Sequence, residues 1–389
     1  MQVLKYKYRI YPNESQLKQL AKITGSVRYI WNHYLAEEQK QYQLNQTFKF
    51  VKANSSDLAA LKQTLVWLKE SPSTSLQQTL QNLDRALRQS FKSVKKGRKG
   101  FPKFKAKRNF VGSFTLTMVN AIRNVKDNKF YIPKVGDVKC VYHRALPSDF
   151  RSCQIKQEGD RWFVVISCRK EQQQLPATGK EIGIDINSKE YVLSDGTRFA
   201  IPKYLKENQT KIKVIQQSLA RKQKGSNRKK VQLKLFKVYQ TVTNKRLDYF
   251  HKLSKQLITD YDLIALEDLN VASIQKKMGR VIQDNGFSTF RAMIVYKAEL
   301  YGKKAVIIDR YFPSSQLCSQ CGAVQKMPLS IRTYSCHCCN TVVDRDLNAA
   351  INIHRAGTAP SAFGDDDLVS QAVMIGKLIG IEEEGNRWR

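Results

Sequence analysis

The chain has 389 residues, more than one ordinary hydrophobic core accommodates, so two to four domains are expected. Apolar residues make up 42% of the chain, which is enough to form buried cores and excludes a disordered protein. The 67 Lys and Arg residues against 33 Asp and Glu give a net charge of +34, which favours nucleic acid as the partner over a merely basic, soluble surface.

The N-terminal stretch does not have the pattern of a targeting signal. Its sequence, MQVLKYKYRIYP, contains no apolar signal-peptide core. No apolar run is long enough to span a bilayer, and no amphipathic or lipidation motif supports attachment to a membrane surface. We therefore expect a protein of the prokaryotic cytoplasm or nucleoid, with no membrane partner.

The first hundred residues predict one strand followed by helices. Val3–Ile10 alternates basic and apolar residues, as a half-buried strand does. Asn13 has the residue type of a helix N-cap, and apolar residues follow it at helical spacing. Two more helices, starting near Asp57 and Ser75, have apolar faces formed by Leu58, Leu61, Leu65 and Leu68 and by Leu76, Leu80, Leu83, Leu87 and Phe91. Residues 13–95 are therefore predicted to be a helical domain.

A basic segment, KKGRKGFPKFKAKRN, begins at Lys95, and its glycines and proline predict a loop. Short strands are predicted after it as far as about residue 170, among them Ser113–Met118 and Trp162–Ser167. We expect residues 2–10 to pair with these strands. The helical block would then be an insertion in a β-barrel-like domain.

The second half of the chain changes character after the polar linker QQQLPATG at 172–179. Strand and helix patterns alternate there, which indicates an α/β domain. The predicted elements are the strands Ile182–Ile186, Leu263–Leu266 and Ala305–Asp309, a basic helix over about 208–258 with a break at Gly225–Asn227, and a helix over 287–301.

Five of the eight cysteines fall between residues 318 and 339, which indicates a metal site in a reducing compartment rather than a disulfide framework. Two CxxC pairs separated by fourteen residues are typical of a closed, tetrahedral zinc ribbon. The predicted ligands are Cys318, Cys321, Cys336 and Cys339. Because a closed site leaves no position for substrate, this zinc is predicted to be structural.

The second CxxC pair contains another possible ligand. Cys338 is an alternative to Cys339, although CxxC geometry favours Cys339, and His337 is expected to be an exposed neighbour. Gly322 and Asn340 each follow a pair, at a turn where a left-handed residue is tolerated.

Three carboxylates stand in positions suited to divalent metal. Asp185 lies inside an apolar strand, where an ionised carboxylate is costly unless a cation pairs with it. Glu267 ends an apolar strand, and Asp346 lies at the expected start of a helix just past the cysteines. Three such acids can hold two Mg²⁺ ions about 3.5–4 Å apart for phosphodiester hydrolysis. Each acid alone also has an ordinary explanation, as a turn or ion-pair residue, a strand-end acid or a helix N-cap.

Two basic segments are the candidates for phosphate contact, although a solvated basic face would have the same composition. Their residues are Lys95, Lys96, Arg98, Lys99, Lys103, Lys105, Lys107, Arg108, Arg221, Lys222, Lys224, Arg228, Lys229 and Lys230. Tyr8, Tyr11, Phe101 and Phe104 are candidates either for base stacking or for a core, and Phe104 is expected in a core.

Taken in order, several motifs resemble the TnpB family of transposon-encoded RNA-guided nucleases, which are similar to compact type V CRISPR effectors. The matching stretches are Tyr8–Pro12 (YRIYP), Phe101–Lys105 (FPKFK), Gly183–Asp185, Ser194–Gly196, Leu266–Asn270 (LEDLN), Pro313–Gly322 (PSSQLCSQCG) and Asp344–Ala350 (DRDLNAA). They cover about residues 1–355, and the last two are specific.

The resemblance implies a multidomain α/β architecture. Its parts are a RuvC-like, RNase H-type nuclease domain (179–312 and 341–357) interrupted by a zinc ribbon (313–340), a wedge-like β-barrel (1–12 and 96–172) with a helical recognition insert (13–95), and a C-terminal tail (358–389). It implies Asp185, Glu267 and Asp346 as the catalytic, Mg²⁺-binding acids. It also implies a guide RNA from the transposon end and double-stranded target DNA that is cut beside a short adjacent motif. The expected state is a monomer bound to RNA, with a dimer left open.

One departure from the family concerns the residue pair after Asp185. The family has a glycine where this chain has Asn187, preceded by Ile186. Asparagine tolerates left-handed geometry, so the turn is expected to survive, with an effect on the cutting rate.

Other functions compete with an RNA-guided endonuclease. A cleavage-dead RNA-guided DNA-binding regulator is the main alternative, and the presence of all three acids disfavours it. An unguided zinc-ribbon DNA-binding factor leaves the acids unexplained. A transposase that uses a catalytic tyrosine would need a His-hydrophobic-His motif, which we do not find.

Overall fold

A computed structural model describes residues 2–45, 47–48, 50–94, 100–107, 112–117, 124–125, 128–146, 150–171, 173–223, 225–268, 286–328 and 330–359. The chain divides into two compact units, one made chiefly of Val3–Lys170 and the other beginning at Glu171. Within these ranges no helix is both long enough and apolar enough to cross a membrane. The predicted tail lies outside them from residue 360 onwards.

The first unit contains a seven-stranded sheet in the order β2-β6-β7-β1-β5-β4-β3. Its strands are β1 (Gln2–Tyr11), β2 (Ser113–Leu116), β3 (Asn124–Val125), β4 (Lys129–Ile132), β5 (Gly136–Val141), β6 (Phe150–Glu158) and β7 (Arg161–Lys170). The N-terminal strand lies inside the sheet and pairs antiparallel with β5, where Ile10 is opposite Cys140. The predicted pairing of residues 2–10 with the later strands is confirmed. Since β2 and β3 are the two edges of the described sheet, closure into a barrel stays a prediction.

The helical block separates β1 from β2 along the chain, as predicted for an insertion. It consists of α1 (Glu14–Asn45), α2 (Phe50–Thr64), a 3-10 helix (Val66–Glu70) and α3 (Ser73–Val94). Asn13 caps α1, because its side-chain oxygen accepts a hydrogen bond from the backbone N–H of Gln16 at 2.9 Å.

The predicted apolar face of α3 is confirmed as far as its side chains are described. Its buried residues are Leu76, Leu80, Leu83 and Leu87; the side chain of Phe91 lies outside the description. The bounds predicted for the helix near Asp57 are wrong. It begins at Phe50 and ends at Thr64, and Leu68 is buried from the 3-10 helix that follows.

The second unit contains a five-stranded sheet in the order β10-β9-β8-β11-β12. Its strands are β8 (Glu181–Ile186), β9 (Glu190–Leu193), β10 (Arg198–Ala200), β11 (Leu263–Glu267) and β12 (Lys304–Ile308). The first three in the chain pair antiparallel, whereas β11 is parallel to both β8 and β12. This mixed sheet confirms the predicted α/β class. The carboxyl ends of β8, β11 and β12 therefore meet at one edge.

Helices cover both faces of this sheet. They are α4 (Tyr204–Glu207), α5 (Gln209–Arg221), α6 (Ser226–Asp260), α7 (Phe287–Tyr301) and α8 (Arg345–Thr358). On one face, Ile184 and Leu266 of the strands share a core with Phe250 of α6 and Phe290 of α7. On the other face, Ile353 of α8 shares a core with residues of β11 and β12. The predicted break of the basic helix is confirmed, since α5 and α6 are separate.

Helix α8 packs very closely on β8. A Cβ atom at Gly183 would collide with the backbone of Ala350 and of His354, so only glycine allows this approach. At the other end of the helix, Gly357 faces the side chain of Ala265 in the same way. These two contacts set how far the start of α8 lies from the sheet edge.

Candidate metal centres

Asp185 and Glu267 lie at the same end of two neighbouring parallel strands. Ile184 of β8 pairs with Leu266 of β11, so Asp185 and Glu267 are the next residues of the two strands. Side chains at matching positions of parallel strands project to the same face, and Asp185 shares its face with Gly183 two residues earlier. Since α8 packs on Gly183, both carboxylates lie on the α8 side of the sheet.

Asp346, the second residue of α8, is held by two neighbours. Its carboxylate accepts a hydrogen bond from the side-chain amide of Asn187 at 3.0 Å. The Arg332 guanidinium lies 3.6 Å from the same oxygen. The start of α8 therefore brings Asp346 to the sheet edge on which Asp185 lies. There it contacts the turn that follows β8.

Asp344 has a different task from Asp346. Its side chain accepts hydrogen bonds from the backbone N–H groups of Asp346 and Leu347, each at 3.0 Å, and so caps α8. It also pairs with Arg198 at 2.9 Å. Although burial opposes it, these hydrogen bonds and Arg198 lower the pKa of Asp344. The sequence left both acids open as caps, and the structure uses Asp344 as the cap.

Burial and neighbouring carboxylates oppose the ionisation of Asp185 and of Glu267. Burial raises the pKa of Asp185 to about 8, with repulsion from Asp346 and Glu267 adding to the effect. Burial also raises the pKa of Glu267 to about 7, with a further contribution from Asp268. Because Asp185 is repelled by both of the others, the structure brings the three predicted acids into one neighbourhood. Partly buried like charges of this kind are stabilised by a bound cation.

Asp268 is a residue of this edge that sequence reasoning missed. It is only 7% exposed and forms ion pairs with Arg291 of α7 and with Arg310, which follows β12. The two guanidinium groups outweigh burial and lower the pKa of Asp268. Two sequence features could have indicated this role. Asp268 directly follows Glu267, and Arg310 lies two residues past β12, the strand parallel to β11. The pairs anchor the strand end that presents Glu267.

The β8–β9 turn forms with Asn187, as expected, but without the left-handed backbone on which that expectation rested. Among the residues described, those with a left-handed backbone other than glycine are Asn128, Lys134 and Asn340, so Asn187 forms its turn without that conformation. Its side-chain oxygen instead accepts hydrogen bonds from the backbone N–H of Lys189 at 2.8 Å and of Glu190 at 2.9 Å. With its oxygen occupied, the amide nitrogen is aimed at Asp346.

The four predicted cysteine ligands converge. The Sγ atoms of Cys318, Cys321, Cys336 and Cys339 all lie within 4.8 Å of one another. The pairs Cys318–Cys339 and Cys321–Cys336 are 3.6 Å apart. A tetrahedral zinc with bonds of about 2.3 Å would place its sulfurs about 3.8 Å apart, so the arrangement fits such an ion. Within the described chain, no comparably tight group is formed by the carboxylates.

The surroundings of the cysteines settle which sulfur belongs to the cluster. Cys338 is exposed and outside it, whereas Cys339 is inside, as the CxxC geometry favoured. His337 is exposed and contacts Gln325. Gly322 has a φ of 77° and Asn340 a φ of 56°, which confirms the predicted left-handed turns.

The cysteine segment is bonded to α8. A two-stranded sheet, β13 (Thr333–Ser335) and β14 (Val342–Asp344), leads directly into the helix. The buried side chain of Asn348 accepts from the N–H of Ser319 at 2.8 Å and donates to the carbonyl of Leu317 at 2.7 Å. The first CxxC pair is therefore fixed to the helix that carries Asp346.

The basic loop after α3 is described in part. Lys103 and Lys107 are exposed, whereas the ammonium of Lys105 lies 3.7 Å from the centre of the Trp31 ring. Burial lowers the pKa of Lys105 to about 8. The expectation that Phe104 lies in a core is wrong, since it is 51% exposed. The loop backbone bonds to polar groups of α1, which leaves this ring outside.

The second basic segment contains one structural arginine. Arg228 donates to the carbonyl oxygens of Leu219 at 2.5 Å and Lys222 at 2.7 Å, and so caps the end of α5. The exposed candidates here are Arg221, Lys222, Lys229 and Lys230. The candidates that lie outside the described residues are Lys95, Lys96, Arg98, Lys99, Arg108 and Lys224.

Three sequence families match parts of the chain. They are described as "Helix-turn-helix domain" (residues 1–47), "Probable transposase" (163–278) and "Cas12f1-like, TNB domain" (287–353). In the first, the described residues form a strand and the single helix α1 rather than two helices joined by a turn. The last spans the four clustered cysteines and Asp346.

Similar proteins cover most of the chain. A protein of Streptomyces pristinaespiralis named "Putative RNA-guided DNA endonuclease" is 34% identical over 371 residues, 92% of this chain and 90% of that protein. A TnpB-like protein of Methanocaldococcus jannaschii is 31% identical over 201 residues, 46% of this chain and 70% of that protein. A solved Cas12f1–sgRNA–target DNA complex shares the fold, with a TM-score of 0.53 and 13% identity over 87% of this chain and 82% of that chain. The chain belongs to the TnpB family.

Proposed function

We propose that the chain is an RNA-guided DNA endonuclease that cuts double-stranded DNA beside a short adjacent motif by two-metal-ion hydrolysis. The observation that carries the proposal is the placement of Asp185 and Glu267 at matching ends of neighbouring parallel strands, together with the repulsion of Asp185 by Glu267 and Asp346. The strand arrangement supports it, since three antiparallel strands followed by two parallel ones agree with the expected RuvC-like, RNase H-type domain.

The three carboxylates are hard oxygen ligands of the kind that Mg²⁺ prefers, and the repulsion of Asp185 by the other two favours a bound cation. When bound there, Mg²⁺ activates water and stabilises the charge that develops on the phosphate oxygens. The protein's contribution is positional. Asn187 fixes one oxygen of Asp346, and the arginine pairs of Asp268 hold the end of the strand that presents Glu267.

The cysteine cluster is proposed to hold a structural zinc. Four thiolates complete a tetrahedral site and leave no open position, so this metal takes no part in hydrolysis. Its expected effect is on folding, because the segment around it contributes only a small core centred on Tyr334.

RNA and DNA are proposed as partners on two grounds. The net charge of +34 destabilises a compact state by self-repulsion, which a bound polyanion relieves. The Streptomyces relative is named as an RNA-guided DNA endonuclease, and the solved Cas12f1 structure is a complex with sgRNA and target DNA. Guide pairing would supply the sequence specificity, while the protein contacts backbone and adjacent motif.

The test is a cleavage assay on protein copurified with its RNA, using a plasmid library and Mg²⁺. Guide-dependent cuts are expected for the wild type and for Asp260→Asn, an exposed acid at the end of α6. Cutting should disappear in Asp185→Asn. RNA-dependent DNA binding without any Mg²⁺-dependent cutting would contradict the proposal and favour a cleavage-dead regulator.

A further inference from the structure

A cleft of about 370 Å³ lies on the helical block, between α1 and the 3-10 helix. Two aromatic rings line it, Tyr29 and Trp67, which meet edge to face with centroids 5.2 Å apart. Both stay open to solvent, with exposed fractions of 37% and 42%. His33 stacks on Tyr29 with an interplanar angle of 12°, which fixes the orientation of that ring. The two rings thus form a preorganised apolar surface in the cleft.

Gly25 lines the cleft from the interior of α1, where glycine destabilises a helix relative to alanine. A Cβ atom at Gly25 would meet no atom within 4 Å, and its φ is not in the left-handed region. Neither packing nor backbone conformation in the described protein therefore requires glycine here, in contrast to Gly183. The open space at Gly25 leaves room for a ligand against the helix.

The rim of the cleft is charged. Arg28 lines it, and its side chain has no hydrogen bond or ion pair with any residue that the structure describes. On the same rim, Lys22 and Glu70 pair with each other at 2.7 Å and leave no excess charge. The cleft thus combines stacking surface with one cation that can meet a phosphate.

We propose that this cleft binds one unpaired nucleotide of RNA, with the base against Tyr29 and Trp67 and the phosphate at Arg28. Base stacking on aromatic rings, with an arginine nearby, is how proteins hold unpaired nucleotides. RNA is the partner favoured over DNA because loops and bulges of RNA expose unstacked bases, whereas bases of duplex DNA are enclosed. The inference rests on the proposed function in taking RNA as a partner, and adds a contact site outside the metal centres.

The first test measures binding of a fluorescein-labelled oligouridylate to the full-length protein by anisotropy, at raised salt to weaken general phosphate attraction. Trp67→Ala and Tyr29→Ala should each weaken binding about tenfold. Val66→Ala is the matched control, because Val66 is 64% exposed on the same short helix and does not line the cleft. Equal affinity of Trp67→Ala and the control would overturn the proposal.

The second test fills the cleft without removing a contact. Gly25→Ala and Gly25→Leu should both raise the melting temperature, since both replace a helix-interior glycine where space is open. Only the leucine variant should lose oligouridylate affinity, because only its side chain occupies the space of the base. A leucine variant that is stable and binds as the alanine variant does would show that the cleft is not the site.

A third arm separates this proposal from the nuclease proposal. The same variants are titrated with oligothymidylate, and a loss confined to the DNA strand would overturn the assignment to RNA. Guide-dependent cutting is assayed in parallel. If the wild type cuts but Trp67→Ala retains full RNA affinity, the cleft proposal fails while the nuclease stands. If RNA affinity falls in Trp67→Ala but the wild type never cuts, the nuclease fails while the cleft stands.

Discussion

At the scale of single residues, the three acids differ in how they are supported. Asp346 has the amide of Asn187 and the guanidinium of Arg332 beside it. Asp185 is affected mainly by burial and by repulsion from Asp346 and Glu267, and both raise its pKa. The two acids therefore respond differently to substitution of their surroundings.

Replacing Asn187 by alanine removes the hydrogen bond that orients Asp346. Supporting contacts of this kind typically change metal affinity by about tenfold or more, so we expect weaker binding of Mn²⁺ used as a probe. Titration of the full-length protein, followed by the electron paramagnetic resonance of free Mn²⁺, measures it. Lys189→Ala is the control, since Lys189 contributes only its backbone N–H to the turn. Unchanged Mn²⁺ affinity in Asn187→Ala would show that Asn187 does not position the acid.

The raised pKa of Asp185 predicts how stability depends on pH in Mg²⁺-free protein. The folded carboxyl holds its proton up to a pKa of about 8, whereas an unfolded aspartate loses it near pH 4. Folding is therefore favoured by this group at low pH, and that stability is lost as pH rises from about 4 to about 8. Asp185→Asn should have little effect on the melting temperature near pH 4 and should raise it at pH 8. A constant difference between the two proteins across this range would contradict the assignment.

At the scale of elements, α8 links the two candidate metal centres. Its first turn carries Asp346, and Asn348 two residues later bonds to the backbone on both sides of Cys318. Its other face packs on Gly183 of β8. Distortion at the cysteines is thus transmitted to the acid through a short, buried path.

The cysteine cluster predicts opposite outcomes for two adjacent substitutions. Cys339→Ser removes a clustered sulfur and should lower zinc content well below the expected value of about one per chain, together with the melting temperature. Cys338→Ser should change neither, because Cys338 lies outside the cluster. Metal analysis and thermal unfolding of the purified proteins give both readouts. Zinc loss in the Cys338 variant instead would require a different ligand set.

At the scale of the whole molecule, the charge of +34 predicts that RNA binding under the proposed function depends strongly on salt concentration. Not every basic residue contributes equally. Lys103 and Lys107 are exposed, while Lys105 lies over the Trp31 ring. The carbonyl of Lys103 accepts from the Trp31 ring nitrogen at 3.1 Å, which fixes the loop to α1.

Lysine substitutions in this loop should separate charge from packing. The double variant Lys103→Ala/Lys107→Ala should make the log–log slope of RNA affinity against salt shallower by about 1, with an unchanged melting temperature. Lys105→Ala should lower the melting temperature and leave the slope nearly unchanged. Binding titrations over a range of salt concentrations measure the slopes. If the slope decreases more in Lys105→Ala than in the double variant, the structural role of Lys105 is contradicted.

Sequence patterns predicted the elements that have strong periodicity or specific spacing. Residues 2–10 were expected in the first sheet, and the four cysteines follow from CxxC spacing alone. The exposure of Phe104 was not predictable, because it depends on hydrogen bonds between its loop and α1 that leave no sequence pattern. The arginine pairs of Asp268 were missed for a similar reason, since Arg291 and Arg310 meet it only after the parallel strands align.

The position of α8 in the chain has a consequence for protein synthesis. The third acid is the last of the three to leave the ribosome, because the helix that carries it, Arg345–Thr358, is made after both acid-bearing strands. Until α8 is made, Gly183 faces no helix and Asp185 lacks one of its two acidic neighbours. Under the proposed function, a nascent chain is unable to cut DNA throughout translation of its first 345 residues, whichever RNA it has already captured. An unfinished product released by premature termination upstream of α8 would be inert as a nuclease.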